Sequence, residues 1–153
     1  MLNLKQTIQQ QYQDKVNQVL ELKKYSRPKE GWVRTVRKAL GMSGPQLGDR
    51  IGLKRAQISQ MERMEMEDRI TVEQLRRVAE ALNCDLVYAL VPRQSIEAML
   101  EERAITKATA LVTKVDAQMI LEAQQLNKIT LAKEIKRETK RILETMPRDL
   151  WED

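Results

Sequence analysis

The stretch LGDRIGLKRAQISQMERME, residues 47–65, decides the fold of this chain. Its apolar residues recur at helical spacing on both sides of Gly52, which predicts two short helices joined by a glycine turn. The second helix must turn a row of polar side chains outward: Lys54, Arg55, Gln57, Ser59 and Gln60. A short helix with this many exposed hydrogen-bond donors is typical of a surface that recognises another molecule.

The distribution of charge favours a polyanionic partner for the same region. The chain of 153 residues carries a net charge of +5, but residues 31–60 carry six Lys or Arg against one Asp or Glu. A basic segment on an otherwise balanced chain is typical of a phosphate-binding face. The alternative is a helix face that is simply solvated.

The composition excludes several classes of function. Histidine is absent and cysteine occurs once, at Cys84, so an intrachain disulfide, a Cys/His zinc site and histidine-based acid–base catalysis are excluded. No glycine-rich phosphate loop is present, and we expect neither an enzyme nor a cofactor nor a metal site. No apolar run reaches the roughly 20 residues that span a bilayer, and the polar N-terminus does not fit a signal peptide, which predicts a cytoplasmic protein.

The periodicity predicts an all-α fold in three regions. Residues 1–30 form an amphipathic helix and a linker, residues 31–92 form a compact helical domain, and residues 93–153 form a helical region for dimerisation or partner binding. Ser43 and Thr71 are predicted helix caps within the middle region. The N-terminal helix is amphipathic and carries one apolar stripe: Leu4, Ile8, Tyr12, Val16, Val19 and Leu20.

One short strand is predicted in this otherwise helical chain. The run DLVYALVP, residues 85–92, is β-branched and apolar, and proline ends it. A single strand is not stable alone, so we expect it to pair with its copy in a second subunit. Leu86, Val87 and Tyr88 are the predicted dimer contacts.

Two short helices joined by a glycine turn are the arrangement that places a helix in the major groove of DNA. Residues 41–62 resemble the phage-repressor, or Cro/XRE-type, helix-turn-helix, with matches at Leu47, Ile51, Gly52, Ile58, Met61 and Glu62. The resemblance implies a phage-repressor-like bundle that binds double-stranded DNA. Periodicity adds long N- and C-terminal helices on either side of it. It also implies an internal ion pair between Arg37 and Glu62.

The resemblance places the DNA contacts at Ser43, Lys54, Arg55, Ala56, Gln57 and Gln60. Arginine can bind guanine bidentately, glutamine can bind adenine, and alanine can contact the methyl group of thymine. Ser43 is expected to meet a phosphate or, alternatively, to act only as a helix cap. Many relatives have glutamine where this chain has Gly44, so this chain lacks the side chain for one phosphate or base contact.

A longer resemblance covers most of the chain. The stretches RPKEGWVRTVRKALGMSGPQLGDRIGL and ITVEQLRRVAEALNCDLVYALVP, and the terminal LWED, are similar to the family called mobile mystery protein A. That family is encoded beside a partner with a Fic domain. The resemblance implies the antitoxin-like, DNA-binding member of a two-gene module. Our leading hypothesis is an autoregulating repressor that binds an inverted-repeat operator as a homodimer. The alternative is an inhibitor of a Fic toxin in which DNA binding is secondary or absent.

Two segments are candidates for contact with such a partner. SRPKEG, residues 26–31, matches the (S/T)xxxE(G/N) pattern of Fic inhibitors, which makes Ser26 and Glu30 candidate partner residues. The alternative is a plain linker. Trp151, among carboxylates at the C-terminus, is a candidate anchor for a partner pocket. The alternative is that Trp151 packs on the helices of its own chain.

Overall fold

The structure, a computed structural model, describes residues 3–121 and 127–152. The chain divides into two compact units: the central unit, Leu22–Ala89, and the terminal unit, Met1–Glu21 with Leu90–Asp153. No helix of the described residues is both long and apolar enough to cross a membrane. A 3-10 helix, Gln18–Lys24, follows α1, and the α-helices are α1 (Leu4–Asn17), α2 (Trp32–Ala39), α3 (Gly44–Ile51), α4 (Arg55–Met66), α5 (Val72–Ala81), α6 (Ile96–Leu121) and α7 (Lys128–Thr145).

A core of aliphatic side chains joins α2 to α5 in the central unit. Leu47, Ile58 and Val78 are fully buried at its centre, and burial of each contributes roughly 1.5–3 kcal/mol. Ser43 caps α3, because its Oγ accepts the Gln46 N–H at 3.3 Å while the Gln46 side-chain oxygen accepts the Ser43 N–H at 2.7 Å. The caps therefore set where α3 begins, and the core sets how it packs.

The turn between α3 and α4 is tight because two glycines permit it. Gly52 ends α3 in the left-handed region, at φ +70°. The Leu53 N–H then donates to the Gly48 carbonyl at 2.8 Å. A Cβ atom at Gly48 would lie 2.2 Å from the Leu53 carbonyl oxygen, so any side chain there would push the turn away from α3. This close approach fixes the angle at which α4 leaves the turn.

The prediction of a strand at residues 85–92 is wrong. Residues 84–92 have no regular secondary structure, and the described residues contain no strand at all. A strand needs a ladder partner, and the described residues of the chain contain no second strand to supply one. Val87 and Tyr88 are 77% and 71% exposed, which leaves their apolar side chains on the surface.

In the terminal unit, α6 and α7 pack together with the C-terminal segment. Ala104 and Ala108 of α6 are completely buried against Ile142 of α7 and against Leu150. Alanine at two successive turns allows a close approach of the two helices, since no bulky side chain separates them. Leu150 is as buried as any core residue, so the segment after α7 is part of this core.

Helix α1 turns three of its glutamines toward the rest of the terminal unit, while the first residues of its apolar stripe are exposed. Gln6, Gln9 and Gln13 are half-buried, and they line a shallow cavity together with α6 and α7 residues. Leu4 and Tyr12, at the start of the apolar stripe, are 76% and 70% exposed, whereas the last three residues of the stripe are half-buried. Periodicity identified which residues share a face, but only part of that face is covered.

Candidate nucleic-acid interface

Helix α4 presents a polar ridge to solvent. Its inner face is formed by Ile58, Met61, Glu62 and Glu65, which are all buried. Ala56, Gln60 and Arg63 lie on the opposite side and are exposed. Because these three residues are spaced by about one helical turn, they form one continuous ridge. A helix with one buried face and such a ridge has the geometry needed to enter the major groove of DNA.

The first turn of α4 is held by a side chain that we predicted to bind DNA. The Gln57 side-chain oxygen accepts the Lys54 backbone N–H at 2.8 Å. This bond satisfies a donor at the helix N-terminus, and it leaves the two side-chain N–H donors of Gln57 for a ligand. Lys54 and Arg55 are exposed at the same end of α4.

A basic groove of about 810 Å³ runs between α2, the start of α3 and α4. We define the basic groove by six of its lining residues: Lys29, Arg34, Ser43, Gly44, Arg55 and Arg63. A Cβ atom at Gly44 would come within 3.9 Å of the Arg55 side chain. The glycine that departs from the family pattern therefore leaves space beside Arg55.

Arg37 and Glu62 form an ion pair that joins α2 to α4. Arg37 Nε lies 2.7 Å from Glu62 Oε1, and Arg37 Nη2 donates to Glu62 Oε2 at 3.2 Å. Arg37 Nη1 also donates to the Met42 carbonyl at 2.9 Å, between α2 and α3. The bidentate geometry fixes both side chains, so one guanidinium group connects three parts of the motif.

Glu65 is a structural residue of this interface that we did not predict. Its buried carboxylate accepts the backbone N–H groups of Trp32, at 2.6 Å, and of Val33, at 3.0 Å. These are free donors at the start of α2, where a negative charge is favourable. Glu65 therefore caps α2 from α4. The only sequence signal was an acidic residue on the apolar face of α4.

Two arginines cap the C-terminal ends of each other's helices. Arg50 of α3 donates to the Ala81 carbonyl of α5 at 2.7 Å. Arg77 of α5 donates to the Ile51 carbonyl of α3 at 2.6 Å. Since the last carbonyls of a helix lack partners within it, these bonds satisfy both ends and hold α3 against α5.

The candidate partner segment, residues 26–31, is not helical. The Gly31 N–H donates to the Pro28 carbonyl at 3.0 Å, which closes a turn before α2. The Glu30 carboxylate accepts from Lys38 Nζ at 2.9 Å, and this hydrogen bond holds the pKa of Glu30 below its usual value. Arg34 Nε lies 3.8 Å from the same carboxylate. Ser26 is exposed.

The ring of Trp151 contacts Arg103 of the same chain but stays largely exposed. Its ring is 5.9 Å from the guanidinium carbon of Arg103, a cation–π contact, and it is 60% exposed. Arg103 Nε also donates to the Leu150 carbonyl at 2.6 Å. The backbone of this segment is fastened to α6, while the indole ring remains available for contact.

Leu86, Val87 and Tyr88 follow α5 at the edge of the central unit. Leu86 is half-buried and, with Val87, lines an apolar cavity of about 360 Å³ between α2 and α5. Tyr88 points to solvent and does not line the cavity. The three residues predicted to form a dimer contact are therefore close in the chain but differ in their surroundings.

Comparison with protein families supports the same motif. A helix-turn-helix family model matches residues 33–88, which include α2 to α5 apart from Trp32. Residues 33–88 form a helix-turn-helix domain of the Cro/C1 type. This domain supports the function of a DNA-binding transcription regulator, and α3 and α4, with the glycine turn between them, lie within it. No curated protein and no solved structure matches the chain.

Proposed function

We propose that the protein is a sequence-specific transcriptional repressor, and not an enzyme, that binds an inverted-repeat operator as a homodimer. The exposed ridge of α4 carries this proposal. Gln60 can bind adenine bidentately, Ala56 can contact the thymine methyl group, and Arg55 reaches guanine or the adjoining backbone from the first turn. These side chains lie on the exposed side of a helix whose other face is buried.

A homodimer would explain how a domain of this size reaches useful specificity. Two recognition helices spaced by about 34 Å would contact successive turns of the same DNA face, and the symmetry of the operator would match that of the dimer. The exposed side chains of Val87 and Tyr88 support a contact surface after α5, since exposed apolar patches favour association. We expect this contact to be made by side chains.

The resemblance to mobile mystery protein A supports a further step, that the repressor is the cytoplasmic, autoregulating antitoxin of a module with a Fic-domain protein. Glu30, the candidate inhibitory residue, lies at the edge of the basic groove and is paired with Lys38. A partner that bound Glu30 would cover Lys29 and disturb Arg34. Toxin and operator would then compete for the protein, with reciprocal effects on the two affinities.

The second candidate function is a protein inhibitor of a Fic toxin in which DNA binding is secondary. The exposed Trp151 favours it, because tryptophan is enriched at the centres of protein interfaces. Trp151→Ala should abolish the capture of a co-expressed Fic-domain protein encoded beside this chain. Arg55→Ala should leave that capture unchanged. Loss of capture in both variants would argue against separate surfaces.

The proposed repressor function is tested by titrating the protein against two fluorescent duplexes. One duplex comes from the protein's own promoter region, and the other has a scrambled sequence. We expect tighter binding to the promoter duplex, and loss of that preference in Gln60→Ala and Arg55→Ala, because each lost base contact costs roughly 1–3 kcal/mol. Arg76→Ala is the matched control, since Arg76 is exposed on α5 and outside the basic groove. Equal affinity for the two duplexes would contradict the proposal.

A further inference from the structure

Three cations of the basic groove lie outside the predicted DNA contacts: Lys29, Arg34 and Arg63. Arg34 lies within 4.0 Å of the Glu30 and Glu62 carboxylates, whereas Lys29 and Arg63 form no ion pair with a described carboxylate. We propose that Lys29 and Arg63 bind phosphates of the DNA backbone, and that the basic groove is the surface that holds one DNA strand beside α4. This inference rests on DNA binding by the helix-turn-helix domain and adds a site to it. Lys29 precedes α2, and Arg63 lies in the third turn of α4.

The charge of the groove is not neutralised within the protein. Two carboxylates, Glu30 and Glu62, also line the groove, and both are engaged. Glu62 is paired with Arg37, and Glu30 is paired with Lys38. Across residues 3–121 and 127–152, no carboxylate forms an ion pair with Lys29 or Arg63, nor with Arg55 between them. A concave surface with uncompensated positive charge concentrates an anionic ligand.

The spacing of the cations fits an extended ligand. Arg55, Ser59 and Arg63 follow one another at four-residue intervals and all line the groove, so they lie along one side of α4. Arg55 and Arg63 are separated by about 12 Å along the helix axis. Lys29 lies on the opposite wall, before α2. A single small anion would meet only part of this row, whereas a phosphodiester chain would meet all of it.

The position of Arg63 along α4 favours the backbone over the bases. The residues at the start of a recognition helix contact base edges, and phosphate contacts fix the register of the protein on the duplex. Arg63 lies beyond Gln60, two turns after Arg55. A guanidinium group there can donate two hydrogen bonds to one phosphate, and the Lys29 ammonium group can act as a point charge on another.

The dependence of affinity on salt concentration distinguishes phosphate contacts from base contacts. Each phosphate that the protein neutralises contributes about 0.9 to the slope of log K against log salt on duplex DNA. We expect Lys29→Ala and Arg63→Ala each to reduce that slope by about 0.9 on a promoter duplex and on a random duplex alike. Arg63→Lys should restore the slope, because it keeps the charge.

The experiment uses the full chain and measures fluorescence anisotropy with both duplexes over a series of salt concentrations. Arg76→Ala is the control for the loss of one charge, and Gln60→Ala is the control for the loss of a base contact. Thermal unfolding of each variant shows that it is folded. Unchanged slopes in folded Lys29→Ala and Arg63→Ala would overturn the inference.

Other outcomes distinguish the failure of this inference from the failure of the proposed repressor function. If Arg63→Ala lost only the preference for the promoter duplex, Arg63 would bind a base and the inference would be wrong. The wild-type protein could bind both duplexes equally while the two variants still lowered the slope. That result would support phosphate binding by the groove and contradict the sequence-specific repressor. Binding to neither duplex would overturn both.

Discussion

Gly31 lies directly against the carboxylate of Glu65. A Cβ atom at Gly31 would be 2.7 Å from Glu65 Oε2, and the φ angle of +81° already places this residue in the left-handed region. The absence of a side chain is what allows the carboxylate to reach the N–H groups of Trp32 and Val33. The turn before α2 and the inner face of α4 therefore depend on each other.

Loss of the Glu65 carboxylate should destabilise the central unit. Glu65→Ala leaves the buried Val33 N–H and the partly buried Trp32 N–H without their acceptor. A buried donor without a partner costs about 1–3 kcal/mol. We expect a loss of that order in the free energy of unfolding, measured by urea denaturation. Glu80→Ala, at an exposed position on α5, should change it by less than about 0.5 kcal/mol. Equal effects of the two variants would show that the cap contributes nothing.

Exchange of Gly31 for alanine should also destabilise the protein, and for two reasons. The positive φ is unfavourable for alanine, and the new methyl group would displace the Glu65 carboxylate. Backbone strain of this kind costs about 1–3 kcal/mol. The double variant Gly31→Ala with Glu65→Ala should lose less than the sum of the single losses. Simple additivity would contradict the proposed dependence between the two residues.

The ion pair between Arg37 and Glu62 should show a measurable coupling energy. Both side chains are mostly buried, so removal of either leaves the other charge poorly solvated. A double-mutant cycle with Arg37→Met and Glu62→Gln should give a coupling of roughly 1–3 kcal/mol. The exposed pair of Arg69 and Glu67 is the control and should give less than about 1 kcal/mol. Comparable values for the two pairs would refute the role of burial.

The attachment of the C-terminal segment to α6 should weaken in acid. A hydrogen bond from Lys107 lowers the pKa of Asp149, so the folded state holds this carboxylate in its charged form. The stabilisation is fully present above the unfolded pKa of about 3.9, and it is lost as the pH falls through the lower, folded pKa. We expect the emission of Trp151, measured in a Trp32→Phe background, to shift in that acidic range.

Asp149→Asn is the matched variant for this titration. It removes the charge but keeps the size of the side chain, so the fluorescence of Trp151 should no longer follow the same transition. Lys107→Met should have a similar effect, because the pKa of Asp149 would lose its main perturbing partner. A transition that persisted unchanged in both variants would have to arise from other carboxylates.

Local patterns in the sequence were sufficient to predict most helices of the helix-turn-helix domain. The apolar spacing around Gly52 gave α3 and α4, and Ser43 and Thr71 cap helices through the glutamines that follow them by three residues. These features depend on residues close together in the chain. The pairing of Arg37 with Glu62 came from the resemblance to a family, since no local rule connects residues that far apart.

The features that could not be predicted from the sequence depend on tertiary contacts. Glu65 acts on Trp32 and Val33, more than thirty residues earlier, so its position alone gave no sign of a cap. Residues 85–92 have the composition of a strand, but composition supplies no second strand to pair with. For α1, periodicity showed which side chains share a face, and only packing could decide which face turns inward.

The contact face of α1 has a consequence for dynamics. No residue of α1 is buried, so this helix loses little contact with apolar surface when it detaches. Water can then replace the hydrogen bonds that Gln6 forms with α7 and Asn17 forms with α6. Segments with few buried apolar contacts open locally at low free energy, independently of global unfolding. The backbone amides of α1 should therefore exchange with deuterium well before those of α3 and α4, and α1 should be an early site of proteolytic cleavage.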